Sequence, residues 1–231
     1  MLDNYRKDEY TITVLYNTVI FMEEIMAEQE KMTLELLHEA AKTEFMEKGF
    51  QGASLRNIVK TAGVTTGAFY GYYNSKEELF KALVGESYEY ILGEYKNSLK
   101  AFENLPLEQQ PEAMGKISRE CMKRLLFFAH EHSDETYMIL QCSEGTRYAF
   151  LVEEMVELEI DATEKYCRVL GQLGYEAPHF DRKLEHILVT GMMNAYFELI
   201  IHELPLDEAV YYAEELNDFY TAGWLKIMGQ E

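Results

Sequence analysis

The chain is poor in residues that interrupt helices and in residues that cross-link small domains. Its 231 residues include only four prolines and three cysteines, and no apolar run reaches the roughly 20 residues of a membrane span. Cys121, Cys142 and Cys167 are widely spaced, with neither CxxC pairs nor histidine partners at metal-ligand spacing. They indicate reduced core thiols of a cytoplasmic protein, with a redox-sensing thiol as the alternative.

Basic residues are also scarce. The 21 lysines and arginines are outnumbered by 41 acidic residues, which gives a net charge of −20, unfavourable for binding a polyanion. The distribution is uneven, however: Lys48–Lys81 contains five basic and two acidic residues, a net of +3, whereas residues 82–231 contain 12 basic and 28 acidic residues, a net of −16. The local charge of Lys48–Lys81 is therefore compatible with nucleic-acid binding, whereas the acidic remainder of the chain predicts weak non-specific binding.

Helical spacing of apolar residues over most of the chain predicts an all-α fold. The length allows one small and one larger domain, and we place the boundaries at 1–31, 32–80 and 81–231. Ser75 is predicted to cap a helix that connects the two domains. The predicted helices after the small domain are Ser75–Phe102, Gly115–His130, Thr136–Thr146, Tyr148–Gly171, Asp181–His202 and Leu206–Met228, with breaks at Pro106, Pro111, Ser133–Asp134, Gly145, Gly174–Pro178 and Pro205.

Residues 1–31 form an N-terminal extension of different character. The segment Tyr10–Met22 is rich in β-branched and aromatic residues and follows Arg6 and Lys7, but it lacks the cleavage site of a signal peptide. The codons of the glutamates just before Met26 can overlap a purine-rich ribosome-binding sequence. We therefore expect Met26 to be the natural start, with a loosely attached arm as the alternative, and N-terminal sequencing of the native protein tests this.

The segment Ser54–Lys76 predicts two short helices joined by a tight turn. Ser54 is expected to cap the first helix, and Gly63 can take the left-handed conformation that ends it. Thr65 is expected to cap the second helix, on which Phe69 and Tyr73 pack inward. The small residues of this second helix allow its backbone to come close to a DNA groove.

These residues resemble the DNA-binding domain of the TetR family of bacterial transcriptional repressors. The resemblance covers about fifty residues in register, from Leu34 to Leu83, and is far more specific than a lone helix-turn-helix pattern. It is carried by Gly49-Phe50, Ser54, Ile58, Ala62-Gly63-Val64, Gly67, Phe69-Tyr70, Tyr72-Tyr73 and Ser75-Lys76-Glu77-Glu78-Leu79-Phe80. It implies an N-terminal three-helix helix-turn-helix domain followed by a helical ligand-binding and dimerisation domain.

The resemblance also implies DNA-binding roles. The residues from Thr65 to Tyr72 would face the major groove, Arg56 would reach a base or phosphate, and Lys76 would hold a phosphate at a helix start. The full predicted set is Ser54, Arg56, Thr65, Thr66, Gly67, Ala68, Tyr70, Tyr72 and Lys76. Two departures each remove a possible phosphate contact: Ala53 stands where threonine is common, and Thr66 stands where many members have lysine.

The last two predicted helices carry apolar residues on more than one face, which requires a partner beyond the chain's own core. By resemblance they would pair with their copies in a homodimer, which suits a palindromic operator. The predicted interface residues are Leu188, Gly191, Met192, Ala195, Leu216, Phe219, Tyr220 and Gly223. An entirely internal core is the alternative.

Methionines and aromatic residues are frequent between the small domain and these helices, as in an adaptable cavity for an apolar ligand. The predicted inducer-binding residues are Met122, Phe127, Met138, Tyr148, Met155, Met193 and Phe197. Each of them equally suits a plain core, and the resemblance favours the cavity. Glu120, Glu144 or Glu198 would select a cationic ligand if buried beside it.

Catalysis has one candidate motif. His130, His132 and Asp134 have HxHxD spacing, but further histidine ligands do not follow, and no P-loop, GxSxG or dinucleotide fingerprint occurs. We therefore expect no enzyme, no metal and no cofactor, and a regulator that is released from DNA by a small molecule. The alternative is a small-molecule-binding dimer that acts through a protein partner without specific DNA binding.

Overall fold

The computed structural model of the protein describes residues 2–176, 181–202 and 204–230, and for residues 2–20 it describes the backbone only. All regular structure within these ranges is helical, which confirms the predicted all-α class. The chain forms two compact units. The first contains the residues up to Glu44 together with Ser54–Leu79, and the second contains Phe45–Ala53 and the chain from Phe80 onward.

The first unit is built from three helices. Helix α1 spans Leu2–Gly52 and continues into the second unit, α2 spans Leu55–Thr61, and α3 spans Thr66–Tyr72. Their apolar faces and Leu79, which follows α3 in the chain, enclose a small core. Its other buried members are Leu37, Ala40, Ala41, Ile58, Val59, Ala62 and Phe69. The apolar residues whose spacing predicted α2 therefore form the face of α2 that packs in this core.

Helix α1 is interrupted at Gly49, whose φ of 66° and ψ of 167° are not helical. A positive φ strains any residue with a Cβ, so glycine suits this position. The five residues after Gly49 lead directly to Leu55, the first residue of α2. The backbone N–H of Ala53 still donates to the carbonyl oxygen of Gly49 at 3.0 Å, which closes one further turn.

The second unit consists of longer helices. Helix α4 begins in the first unit and supplies most of its length to the second. The α-helices after α3 are α4 (Lys76–Glu103), α5 (Gln110–Glu131), α6 (Ser133–Tyr137), α7 (Leu151–Gln172), α8 (Arg182–Ile201) and α9 (Leu206–Ile227), with a π-helix at Met138–Cys142 and 3-10 turns at Leu107–Gln109 and Arg147–Phe150. The buried core includes Tyr88, Ile91, Met138, Met155 and Met193.

The predicted helices of the second unit are present, with shifted ends. Ser75 caps α4 as expected, because its Oγ accepts from the backbone N–H of Glu78 at 3.1 Å. The helix predicted over Thr136–Thr146 is wrong over its last four residues, because the helical structure ends at Cys142. There the Ser143 hydroxyl donates to the carbonyl oxygen of Ile139 at 2.5 Å and ends the regular pattern. The predicted break at Gly174–Pro178 lies partly outside the described residues.

The predicted N-terminal extension is helical from Leu2 onward. Its β-branched residues lower helix propensity by only a few tenths of a kcal/mol each, whereas each residue added to an existing helix gains a hydrogen bond. Side chains are described from Phe21, and Phe21, Met22, Ile25 and Met26 are exposed. Within the described part of the chain, none of the helices is long and apolar enough to cross a membrane.

Candidate nucleic-acid interface and ligand cavity

The turn between α2 and α3 has the geometry that the sequence predicts. Gly63 has a φ of 70°, in the left-handed region. The next backbone N–H, of Val64, donates to the carbonyl oxygen of Val59 at 3.0 Å, which closes the end of α2. Val64 is half-buried beneath the turn. The two short helices are therefore joined by a tight turn that depends on one glycine.

The two predicted helix caps differ. The Oγ1 of Thr65 accepts from the backbone N–H of Ala68 at 3.1 Å, which confirms Thr65 as the cap of α3. Ser54 occupies the predicted cap position of α2, but its side chain makes no capping hydrogen bond. Instead the Oε1 of Glu44 accepts from the backbone N–H of Ser54 at 2.9 Å and from Nδ2 of Asn57 at 3.2 Å. Glu44 of α1 therefore holds the residue that precedes α2 from a neighbouring helix.

Helix α3 has one anchored side and one free side. Phe69 is 0% exposed and lies in the core of the first unit, whereas Tyr70 is 55% exposed. Thr66, Gly67 and Ala68 are also exposed. A Cβ at Gly67 would meet only Thr65 Oγ1, at 3.8 Å, so the chain's own packing does not require glycine there. The surface of α3 is therefore low and free of large side chains next to a tyrosine hydroxyl.

The remaining predicted DNA-binding residues lie beside this surface. Arg56 on α2 is exposed, and Ser54 and Tyr72 are half-buried. Lys76, the first residue of α4, is also half-buried, and desolvation lowers its pKa while nearby Glu44 acts in the opposite direction. The structure thus gathers the nine predicted residues at the α2–α3 end of the first unit. Their contact with DNA remains a prediction.

The second unit contains a cavity of about 100 Å³ between five helices. Its walls come from α4, α5, α7, α8 and α9, and they combine apolar, aromatic and polar side chains. Among the residues that line it are Tyr95, Phe102, Met122, Glu159, Tyr166 and Trp224. Helices α5 and α9 approach closely here, because a Cβ at Gly115 would lie 2.8 Å from Thr221 Cγ2.

The predicted inducer-binding residues are divided between this cavity and other places. Met122 and Met193 line the cavity. Four others, Met138, Tyr148, Met155 and Phe197, are buried in the core away from the cavity walls, and Phe127 is exposed. Tyr148 packs edge-on against Tyr88, with ring centroids 5.1 Å apart. The cavity thus has the methionine and aromatic lining that was expected, but only two of the seven predicted residues line it.

The carboxylate of the cavity is one that sequence reasoning did not name. Glu120, Glu144 and Glu198 are exposed, whereas Glu159 lines the cavity, and the hydroxyl of Tyr95 donates a hydrogen bond to its Oε2. Burial raises the pKa of Glu159, and the hydrogen bond from Tyr95 opposes this shift. Burial also raises the pKa of Tyr95 well above its ordinary value.

A sequence signal for Glu159 exists in the spacing of α7. The buried residues Met155, Val156, Ile160 and Thr163 recur at helical intervals, and Glu159 falls within the same stripe. A charged residue inside an apolar stripe differs from one on a solvated face. The neighbouring acidic residues on α7 hide this difference, because most of them are exposed.

The predicted dimer residues also divide into two groups. Phe219 and Gly223 on α9 and Gly191 on α8 are exposed, and Leu188, Ala195 and Leu216 are half-buried. Met192 and Tyr220 instead line the cavity. Other large apolar residues are exposed on the same two helices: Leu184, Ile187, Tyr211, Tyr212 and Ile227. The structure therefore leaves a broad apolar surface on α8 and α9, and its pairing in a dimer remains a prediction.

The histidine motif lies at the end of α5. His130 and His132 are exposed, and the His132 ring stacks on Phe128 with centroids 4.3 Å apart. Across residues 21–176, 181–202 and 204–230, no cluster of three or more His, Cys, Asp or Glu side chains could hold a metal ion. Burial raises the pKa of Cys121 to about 11 and raises that of Cys142, which disfavours thiolate formation at both.

Comparison with known proteins assigns the first unit. Residues 37–83 match the family described as bacterial regulatory proteins, tetR family. The HTH-type transcriptional regulator TtgR of Pseudomonas putida is 31% identical over 145 residues, which cover 63% of this chain and 59% of TtgR. The chain therefore spans less than two thirds of this relative.

Solved structures extend the similarity to both units. A transcriptional regulator of the TerR/AcrR family from Aquifex aeolicus is similar, with a TM-score of 0.50 and 25% identity, over 81% of this chain and 98% of that chain. The TetR family transcriptional regulator PfmR from Thermus thermophilus gives a TM-score of 0.50 at 18% identity, over 81% of this chain and 97% of that chain, and so supports the fold alone.

Proposed function

The chain belongs to the TetR family of bacterial transcriptional regulators, and from this premise we propose that it is a homodimeric repressor that a small molecule releases from a palindromic operator. The observation that carries the proposal is the surface of α3. Buried Phe69 anchors the helix, and Thr66, Gly67 and Ala68 present a low exposed surface beside Tyr70. Such a surface fits the major groove, where close backbone approach and hydroxyl contacts to base edges are both possible.

Local charge supports the same assignment. Arg56 and Lys76 flank the low surface of α3 and suit phosphate groups on either side of a groove. The acidic remainder of the chain repels DNA over about a Debye length of 8 Å. We therefore expect the protein to bind its operator through close, complementary contacts and to have little affinity for other DNA. We place it in the bacterial cytoplasm.

We propose that the apolar surface on α8 and α9 pairs with its copy. Ile187 is 65% exposed and Phe219 is 71% exposed, and burying such side chains against a partner favours association. Two-fold symmetry places one α3 on each half of a palindrome, about one helical turn or a multiple of it apart. The dimer thus explains both the exposed surface and the form of the operator.

We propose that the cavity of the second unit is the effector site. Effector binding there favours a separation of the two α3 helices that does not fit successive major grooves, so the population shifts toward the free protein. In this role the effector is bound and released unchanged, because the protein acts as a regulator and not as a catalyst. The cavity's mixed lining suits a small ligand with an apolar body and one polar group.

Selection from random DNA duplexes tests this function. The proposal expects enrichment of one palindromic consensus by the full chain, and loss of enrichment when Tyr70 and Arg56 are both replaced by alanine. A consensus without two-fold symmetry would contradict the dimer. Absence of any enrichment would contradict DNA recognition and favour the alternative, in which the dimer acts through a protein partner.

A further inference from the structure

The cavity has two levels, set by matching positions on α4 and α7. At one level the Tyr95 hydroxyl donates a hydrogen bond to Glu159. Seven residues further along both helices, the rings of Phe102 and Tyr166 meet edge to face, with centroids 5.2 Å apart at 71°. Seven residues are about two helical turns, or roughly 10 Å, and bring side chains back to the same face. The cavity therefore has a carboxylate end and an aromatic end about 10 Å apart.

The carboxylate end lacks a cation. Within the part of the chain that the structure describes, Glu159 makes no salt bridge, and the Tyr95 hydroxyl is its only hydrogen-bond partner. The nearest arginines are engaged elsewhere: Arg124 donates to Glu94 and to Ser98, and Arg119 donates to Asn217. Glu159 is half-buried in the cavity wall, and a partly desolvated carboxylate without a cationic partner is costly, so a ligand that supplies the cation gains free energy.

The groups that face this end from the other helices do not supply that charge. Cys121 from α5 is a neutral thiol, and Glu185 from α8 adds negative charge near Glu159. Tyr196, also on α8, is 5% exposed, and its hydroxyl lacks a hydrogen bond of good geometry although Asn217 lies nearby. This end therefore offers a carboxylate and a free hydroxyl to one polar group of a ligand.

The aromatic end is apolar and continuous. Tyr166, Leu170 and Met228 form a buried cluster, against which Phe102, Met114 and Trp224 pack. Aromatic faces and a thioether favour a flat, polarisable group, and they provide little for a second charge. The volume of about 100 Å³ is below the roughly 300–1,000 Å³ of sites for drug-sized ligands, which limits the ligand to a small molecule.

We propose that the cavity binds a small arylalkyl ammonium ion, with its cationic nitrogen on Glu159 and its aromatic ring against Phe102, Tyr166 and Trp224. This inference rests on the proposed effector function of the cavity and names its ligand class. The ammonium group donates to the carboxylate and to the Tyr196 hydroxyl, which satisfies both groups at once. The ring fills the aromatic end, and the alkyl chain spans the distance of about 10 Å between the two levels.

The test compares three ligands of one shape with three protein variants. The ligands are 4-phenylbutylamine, 4-phenylbutan-1-ol and 4-phenylbutyrate, which carry a positive charge, no charge and a negative charge at neutral pH. The proteins are the unaltered chain, Glu159→Gln and Glu153→Gln. Gln keeps an oxygen that can accept from Tyr95, and Glu153 is an exposed residue of α7, so its variant removes the same charge outside the cavity.

Calorimetric titration of the full chain without DNA gives the affinities. We expect the amine to bind the unaltered chain at least about tenfold more tightly than the alcohol, and the carboxylate to bind least. Glu159→Gln should weaken binding of the amine at least about thirtyfold and change binding of the alcohol by less than about threefold. Glu153→Gln should bind all three ligands as the unaltered chain does.

Two results would overturn the inference. One is that the unaltered chain binds the alcohol as tightly as the amine or more tightly, which would indicate a protonated Glu159 and a neutral ligand. This measurement does not depend on the folding of any variant. The other is failure of all three compounds to bind. Operator release is measured separately: amine binding that depends on Glu159 but leaves operator affinity unchanged supports the inference and contradicts the proposed effector function. If instead the amine shows no preference for Glu159 and a neutral compound releases the operator, the proposed effector function is supported and the inference about the ligand class is contradicted.

Discussion

The Nε2 of His38 lies 2.6 Å from the hydroxyl of Tyr73, and this hydrogen bond joins α1 to the residue that follows α3. The two rings are tilted at 36°, and both residues are half-buried. Desolvation lowers the pKa of His38, so the neutral ring is favoured. Because α3 has only seven residues, it depends on the rest of the first unit for its stability, and this bond and the burial of Phe69 both attach it there.

Tyr73→Phe should therefore loosen α3. Loss of the hydroxyl leaves His38 without its partner and should cost about 1 kcal/mol of local stability. Hydrogen exchange followed by mass spectrometry should show faster exchange in peptides that cover α3. Tyr70→Phe is the matched control, because its hydroxyl is exposed and makes no contact within the fold that the packing of α3 requires. Equal exchange in both variants would contradict the structural role of the His38–Tyr73 bond.

Two helical glycines separate DNA approach from folding. A Cβ fits at Gly67 of α3 and at Gly93 of α4 without a clash in the chain, so alanine at either position should raise helix stability by up to about 1 kcal/mol. Gly67→Ala should nevertheless weaken operator binding, since Gly67 lies on the proposed groove surface, whereas Gly93→Ala, outside the helix-turn-helix, should bind as the unaltered chain does. Thermal unfolding and operator titration measure the two effects. Equal operator affinity in both variants would place the groove contact elsewhere.

Lys76 and Tyr70 should affect DNA binding in different ways. Lys76→Ala removes a proposed phosphate contact, so it should weaken all DNA sequences similarly and reduce the salt slope of binding by about one for each α3 helix bound. Tyr70→Ala removes a proposed contact to base edges and should weaken the operator more than other DNA. Titrations at several salt concentrations distinguish the two. Unchanged affinity in both variants would reject this docking.

Gly191 tests the dimer without disturbing the chain. A Cβ there meets no atom within 4 Å in the same chain, and the same holds for the exposed Gly171 on α7. Gly191→Leu should break a two-fold interface, because the added side chain clashes twice, and Gly171→Leu should have no effect on assembly. Light scattering measures the mass of each variant. A monomeric unaltered chain, or an intact Gly191→Leu dimer, would contradict the proposed interface.

Glu159 should make stability depend on pH. Its pKa is raised in the folded protein above the ordinary value of 4.5, so folding binds extra protons. The protonated Glu159 therefore stabilises the folded state fully below about pH 4.5, and this contribution is lost as the pH rises through the pKa of the folded protein. Glu159→Gln does not titrate, so its melting temperature relative to the unaltered chain should increase from about pH 5 to about pH 8. Glu153→Gln is the exposed control. A difference that stays constant or falls with pH would contradict the buried carboxyl.

Local sequence determined the helix-turn-helix of this protein. Gly63, Thr65 and Phe69 specify a left-handed turn, a cap and a buried anchor within seven consecutive positions, and each acts on near neighbours. The all-α class follows in the same way from helical apolar spacing. The hydrogen bond from the Ser54 backbone N–H to Glu44 was not predictable, because Glu44 reaches Ser54 from ten residues away in the chain.

Only the tertiary structure decided which residues surround the cavity. Met122 and Met155 are equally apolar in the sequence, yet Met122 lines the cavity and Met155 does not, because the packing of five helices chooses the face that each one presents. Glu159 is one of several glutamates on α7, and its hydrogen-bond partner in the cavity is Tyr95, 64 residues away. Local patterns fix what each residue can do with its neighbours in the chain, whereas long-range packing decides which residues share a space.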